Sequence, residues 1–140
     1  MSFVAWGLAA VLLLVSLVHM YWAARGVASG ASVPSHADGT PLFLPGRVAT
    51  LLVALALLLA ALIVLGRAQL LDLRMPPIAL RIGIWGVVAT FTARTVGEFR
   101  YVGLFKRVSG TPFARWDTRL FTPLCAVIAV AAVVVATRSA

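Results

Sequence analysis

Seven residues have the types and spacing to do chemistry in an otherwise largely apolar chain: His19, Tyr21, Trp22, Arg94, Glu98, Arg100 and Asp117. Arg94 and Glu98 are four apart, so on a helix they share a face with Phe91 and Val87. They read either as a buried pair lining a polar cavity or as a local ion pair at a helix end. His19 lies inside an apolar run, where histidine looks for a hydrogen-bond partner. A structural hydrogen bond is the simpler role for it, and interfacial anchoring is the simpler role for Tyr21 and Trp22. Guanidinium forks such as Arg94 and Arg100 pair with phosphate or carboxylate through two hydrogen bonds. The set is therefore a candidate ligand-binding site for an anionic or amphipathic molecule: a lipid phosphate, a carboxylate or a quinone headgroup.

Other chemistries find little here. Ser16 is near His19, but nothing marks it as a nucleophile. His19, His36, Asp38 and Cys125 are scattered, without metal-ligand spacing, and His36 falls among prolines and glycines of a loop, which disfavours a bis-histidine haem with His19. No glycine-rich phosphate loop is present. No metal and no cofactor are expected, and whether the protein is an enzyme stays open.

The elements that must position these residues are set by apolar runs. Span one extends from about Ser2 to Ala24, span two from Val48 to Gly66, span three from Pro76–Pro77 to near Gly97, and span four from about Thr118 to Thr137. The 19 residues of span two reach roughly 28 Å as a helix, a bilayer's hydrocarbon thickness. The runs lack the alternation of barrel strands, so closed backbone bonding in lipid requires helices. The expected fold is an all-α membrane protein, a single domain over residues 1–140 built as a bundle of four transmembrane helices. Leu42-Phe43-Leu44-Pro45 before span two is echoed by Leu120-Phe121-Thr122-Pro123 before span four, each with a tyrosine and an acid upstream. Two repeated helical hairpins would explain the echo; chance likeness between apolar segments explains it more simply. Pro123 either bends span four, if Asp117 or Thr118 caps it, or opens it, if Thr122 does. Ala89, Ala93 and Gly97 form a small-residue row suited to close helix approach, either inside the bundle, the simpler reading for a four-helix unit, or at a dimer surface.

Span three carries the exception. Only 12 uncharged residues separate Arg81 from Arg94, about 18 Å of helix. At least one of these arginines must snorkel or face the bundle interior.

Composition agrees with the membrane assignment. The chain is 62% hydrophobic and 11% charged, with a mean hydropathy of +1.04. Soluble domains carry about 25% charged residues. The 12 basic residues against 4 acidic ones give a net charge of +8. Because the basic residues sit between apolar spans, the expected partner is the lipid bilayer and not nucleic acid. The single cysteine, Cys125, excludes an intrachain disulfide. The first span has no basic n-region and exceeds a usual signal-peptide core, so it reads as a retained helix despite the small residues Ala28-Ser29-Gly30-Ala31 that follow.

Eight basic residues, among them Arg25, Arg94, Lys106 and Arg119, fall on the side of the two long connections, Arg25 to Gly46 and Glu98 to Asp117; four fall on the other. The positive-inside rule then places those connections in the cytoplasm and both termini outside, in a multi-pass protein of the cell membrane.

These residues together resemble the bacterial family catalogued as domain of unknown function 3995. The likeness covers nearly the whole chain and rests on His19, Tyr21-Trp22-Ala23, Gly26, Pro45, Arg94, Gly97, Phe99-Arg100, Gly103, Phe105-Lys106, Thr111, Phe113, Asp117 and Pro123-Leu124-Cys125. It implies a small multi-pass membrane protein and adds no reaction. Relatives tend to show a glycine pair after Tyr-Trp-Ala where this chain has Arg25-Gly26, which makes Arg25 a poorer site candidate than its neighbours.

The residues best suit a protein that binds an anionic or amphipathic small molecule or lipid in a polar cluster at one membrane face. A structural or accessory subunit, in which the cluster only locks the bundle, is the first alternative. A transporter or channel subunit is the second, and four short spans would then need a homo-oligomer to form a pathway.

Overall fold

The computed structural model describes residues 2–26 and 32–138. The small-residue run Ala28-Ser29-Gly30-Ala31 lies outside the described residues. Four helices carry the fold: α1 (Ser2–Arg25), α2 (Arg47–Arg67), α3 (Pro77–Val96) and α4 (Pro112–Arg138). Among the described residues there is no strand, only an isolated bridge between Ser35 and Pro41.

Helices α1, α2 and α4 are long and apolar enough to cross a membrane. Their 24, 21 and 27 residues exceed roughly 30 Å of hydrocarbon at about 1.5 Å per residue. Large apolar side chains such as Leu14, Leu17, Leu52, Leu59, Val127 and Val130 are exposed on their outer faces, the surface expected of helices solvated by lipid. Helix α3 has the expected bounds, with proline in its first turn and Gly97 at its C-cap. Arg81 and Arg94 lower its apolar character, so it does not match the other three.

The core lies where the four helices converge. Ala5, Ala9 and Leu12 of α1 join Ala54, Leu57 and Ala61 of α2 in it, and their small side chains let two backbones approach closely. The Ser16 hydroxyl donates to the Ala54 carbonyl at 2.8 Å inside this contact. Ser16 is therefore a strut between helices. Ile84 and Val87 of α3 join Ile128, Ala132 and Val135 of α4 in the same core. Helix α1 packs chiefly along α2 and α3 chiefly along α4, whereas α1 and α3 do not approach each other. Ala89 and Ala93 are exposed, so the small-residue row does not form the internal contact expected of it.

Helix α4 starts earlier than either reading of Pro123 allowed. Thr111 caps it, accepting the Ala114 N–H at 3.0 Å. The helix widens into a π segment at Asp117–Phe121 and continues as α-helix through Pro123. Proline cannot donate to the carbonyl four residues back, and its ring crowds that turn. The π segment immediately before it opens the spacing, with the Thr122 N–H bonded to the Asp117 carbonyl. Pro45, its counterpart in the sequence echo, lies in the non-helical chain before α2.

Candidate functional site around Asp117

The π segment holds Asp117 in a fully buried position. A lone buried carboxylate is costly unless paired and hydrogen-bonded, and Asp117 receives four donors. Arg94 Nη2 reaches Oδ1 at 2.8 Å. The other oxygen, Oδ2, accepts the Gly103 N–H at 3.0 Å and the Thr122 hydroxyl at 3.1 Å, and Lys106 Nζ stands 3.1 Å from it. Lys106 Nζ also donates to the Gly103 carbonyl at 3.1 Å. One carboxylate thus ties the end of α3, the following connection and the start of α4 into a single unit.

Two cations converge on one anion here. The Lys106 side chain is 9% exposed and that of Arg94 32%. Arg94 Nη1 is buried without a hydrogen-bond partner. The cluster is left with an excess positive charge and an unused donor.

The connection that brings Lys106 and Gly103 to Asp117 is shaped by glycine. Gly97 and Gly103 have φ of 84° and 89°, a region in which glycine meets no steric cost. A Cβ on Gly97 would stand 1.8 Å from the Val102 carbonyl oxygen. The Leu104 N–H returns to the Thr95 carbonyl at 2.9 Å.

Glu98 does not pair with Arg94. Its carboxylate accepts the Tyr101 N–H, and the Val102 N–H at 3.1 Å, and it is exposed. Helix α3 ends at Val96, so the four-residue spacing no longer places Glu98 on the Arg94 face. Arg100 lies over the Tyr101 ring, its guanidinium carbon 5.2 Å from the centroid. His19 Nδ1 is 2.8 Å from the Val15 carbonyl oxygen in its own helix, and its ring meets Trp22 edge-on at 5.1 Å. Tyr21 is exposed. Of the sequence candidates, Arg94 and Asp117 come together; Glu98 and Arg100 belong to the adjoining connection, and His19, Tyr21 and Trp22 stay on α1, which α3 does not touch.

Lys106, Gly103 and Thr122 complete the site without having been candidates. The signal available for Lys106 was its place among many cations and few acids, and for Thr122 its position five residues beyond Asp117.

The two long connections meet where Tyr101 Oη lies 3.4 Å from His36 Nδ1. Beside His36, Asp38 Oδ1 accepts the Thr40 hydroxyl at 2.7 Å and the Thr40 N–H at 2.9 Å. These bonds hold the Asp38 carboxyl below its ordinary pKa. Glu98, Phe99, Arg100, Arg107 and Val108 line an open groove of about 480 Å³. A second, of about 320 Å³, lies between the end of α1 and the start of α2, lined by Met20, Ala23, Ala24, Arg47, Val48 and Leu51. Among the described residues, no three His, Cys, Asp or Glu side chains gather as a metal-ligand set.

The family model described as "Protein of unknown function (DUF3995)" matches residues 10–132. The chain belongs to this family. The DUF3995 match spans most of α1 through most of α4 and includes every member of the Asp117 cluster. No curated protein and no solved structure matches the chain.

Proposed function

We propose that the protein is a four-span membrane protein that binds the anionic head of a lipid or amphipathic small molecule at the Asp117 cluster. The observation that carries this reading is the charge imbalance: Arg94 and Lys106 share one carboxylate, and Arg94 Nη1 is buried without a partner. An uncompensated cation at the edge of an apolar bundle is costly, and an anionic group on Arg94 offsets it through charge-assisted hydrogen bonds.

The fourth span in this reading is α3. Drawing Arg94 onto Asp117 lowers the cost of holding it at membrane depth, and Arg81 near the other end can extend toward the headgroups. The His36–Tyr101 contact supports the same topology, because both long connections then lie at one end. Their basic residues favour the cytoplasmic side of the cell membrane.

The four donors on Asp117 also favour a second reading, in which the cluster only locks the bundle of an accessory subunit. Thermal stability in detergent, with and without added phosphatidylglycerol, separates the two. Under the binding reading, phosphatidylglycerol stabilises the parent protein and Arg94→Gln weakens that response. Asp117→Asn leaves two cations without their counter-ion and destabilises by about 3–5 kcal/mol. If removing both cations, Arg94→Gln with Lys106→Met, in the Asp117→Asn background restores most of that loss, and the parent shows no lipid response, the cluster is a structural lock.

A further inference from the structure

The connection between α3 and α4 also carries exposed apolar side chains. Phe99, Leu104 and Phe105 are 55%, 63% and 59% exposed. The Phe99 and Phe105 rings lie 6.1 Å apart and belong to one patch. Their positions are held by anchors on either side: Gly103 is bonded to Asp117, Leu104 N–H to Thr95, and Lys106 to Gly103. Three large apolar side chains exposed on one short connection call for an apolar medium.

Charge identifies that medium. Arg100 and Arg107 are exposed beside the patch and line the 480 Å³ groove with Phe99. Glu98, which lines the same groove, is occupied by two backbone N–H groups. The start of α4 repeats the combination, with Trp116 and Leu120 exposed beside exposed Arg115 and Arg119. Aromatic and basic residues flanking a membrane-spanning helix are the composition of a bilayer interface, and basic residues there attract anionic lipid. A protein partner would not require the same pattern to continue onto a spanning helix.

We infer that residues 99–107 form a lipid-recognition element: Phe99, Leu104 and Phe105 lie among the acyl chains at the interface, and Arg100 and Arg107 receive the phosphate of an anionic phospholipid. These arginines are distinct from Arg94 and Lys106, so the element does not depend on the Asp117 cluster binding a ligand.

The test uses the full chain with Cys125→Ser and a nitroxide label at Phe105→Cys, in nanodiscs of phosphatidylcholine with or without phosphatidylglycerol. Leu104→Cys provides an independent label position. The expected label is more accessible to oxygen than to a water-soluble nickel chelate, like a label at lipid-facing Leu17→Cys. Chelate access equal to that at exposed Ala37→Cys overturns the insertion, as does protection from both reagents, which signals a covering protein copy. Native mass spectrometry should show retained phosphatidylglycerol, lowered about fivefold by Arg100→Gln or Arg107→Gln. Equal retention of phosphatidylcholine, or full displacement by inorganic phosphate, overturns the headgroup assignment. Arg94→Gln should leave the label depth unchanged; if it weakens the lipid response of thermal stability at unchanged depth, the two sites are separate. Aqueous labels with an intact Arg94-dependent response would overturn this element alone.

Discussion

Gly97 and Gly103 lie backbone against backbone at the end of α3: a Cβ on Gly103 would stand 2.5 Å from the Gly97 Cα. Both adopt positive φ. Gly103→Ala therefore meets a rigid backbone clash in addition to conformational strain, and the shift it forces stretches the Gly103 N–H bond to Asp117. The expected loss is about 3 kcal/mol or more, from strain and a weakened buried hydrogen bond together. Gly110 has a similar φ of 88° with open space around it, so Gly110→Ala should cost only the conformational strain, about 1–2 kcal/mol. Thermal unfolding in detergent compares them, and equal losses would refute the close approach as the cause.

Glu98 should be energetically independent of Arg94. The two have different partners: Glu98 closes a backbone turn and Arg94 reaches Asp117. A double-mutant cycle with Arg94→Gln and Glu98→Gln should give coupling within about 0.5 kcal/mol. The corresponding Arg94–Asp117 cycle should give several times more. A large Arg94–Glu98 term would restore the pair that sequence spacing suggested.

That contrast shows where the sequence was legible. The apolar runs located α1, α2 and α3 closely, because a helix in lipid satisfies its own backbone and its limits follow from hydropathy. Helix α4 begins ahead of its apolar run, because Arg115, Asp117 and Arg119 interrupt that run while the Thr111–Pro112 start signal stands before them. Arg94–Glu98 spacing misled because Gly97 stops the helix between them. The Asp117 partners come from three segments joined by an irregular connection, and no periodicity reports such contacts. The family match covered the relevant residues and carried no geometry.

Asp38 supplies a pH-dependent element in the other connection. Its pKa is lowered by the hydrogen bonds from Thr40, so the turn's stabilisation is present above the ordinary carboxylate value near 4. It is lost as pH falls through the lowered folded value. Thr40→Val removes the hydroxyl donor and should raise the Asp38 pKa toward the ordinary value. Carboxyl chemical shifts from an NMR titration measure this; an unchanged pKa in the variant would remove the hydroxyl as the main cause.

The topology admits a sharper test than counting apolar helices. If α3 lay along the membrane surface, only α1, α2 and α4 would cross, and the two long connections would face opposite compartments. His36 and Tyr101 could not then lie 3.4 Å apart. Four crossings put both connections on one side and the α2–α3 turn on the other. Single cysteines at Ala37 and Ser109, both exposed, should react from the same side in Cys125→Ser protein, and Leu71→Cys should react only from the other. Ser35 is unsuitable for labelling because it is buried and bonded to the Val33 carbonyl. Labels run on intact cells and inverted vesicles also report orientation, and the basic excess predicts that positions 37 and 109 are cytoplasmic. Opposite-side reactivity of Ala37→Cys and Ser109→Cys would exclude α3 as a span and separate the two connections that the His36–Tyr101 contact joins.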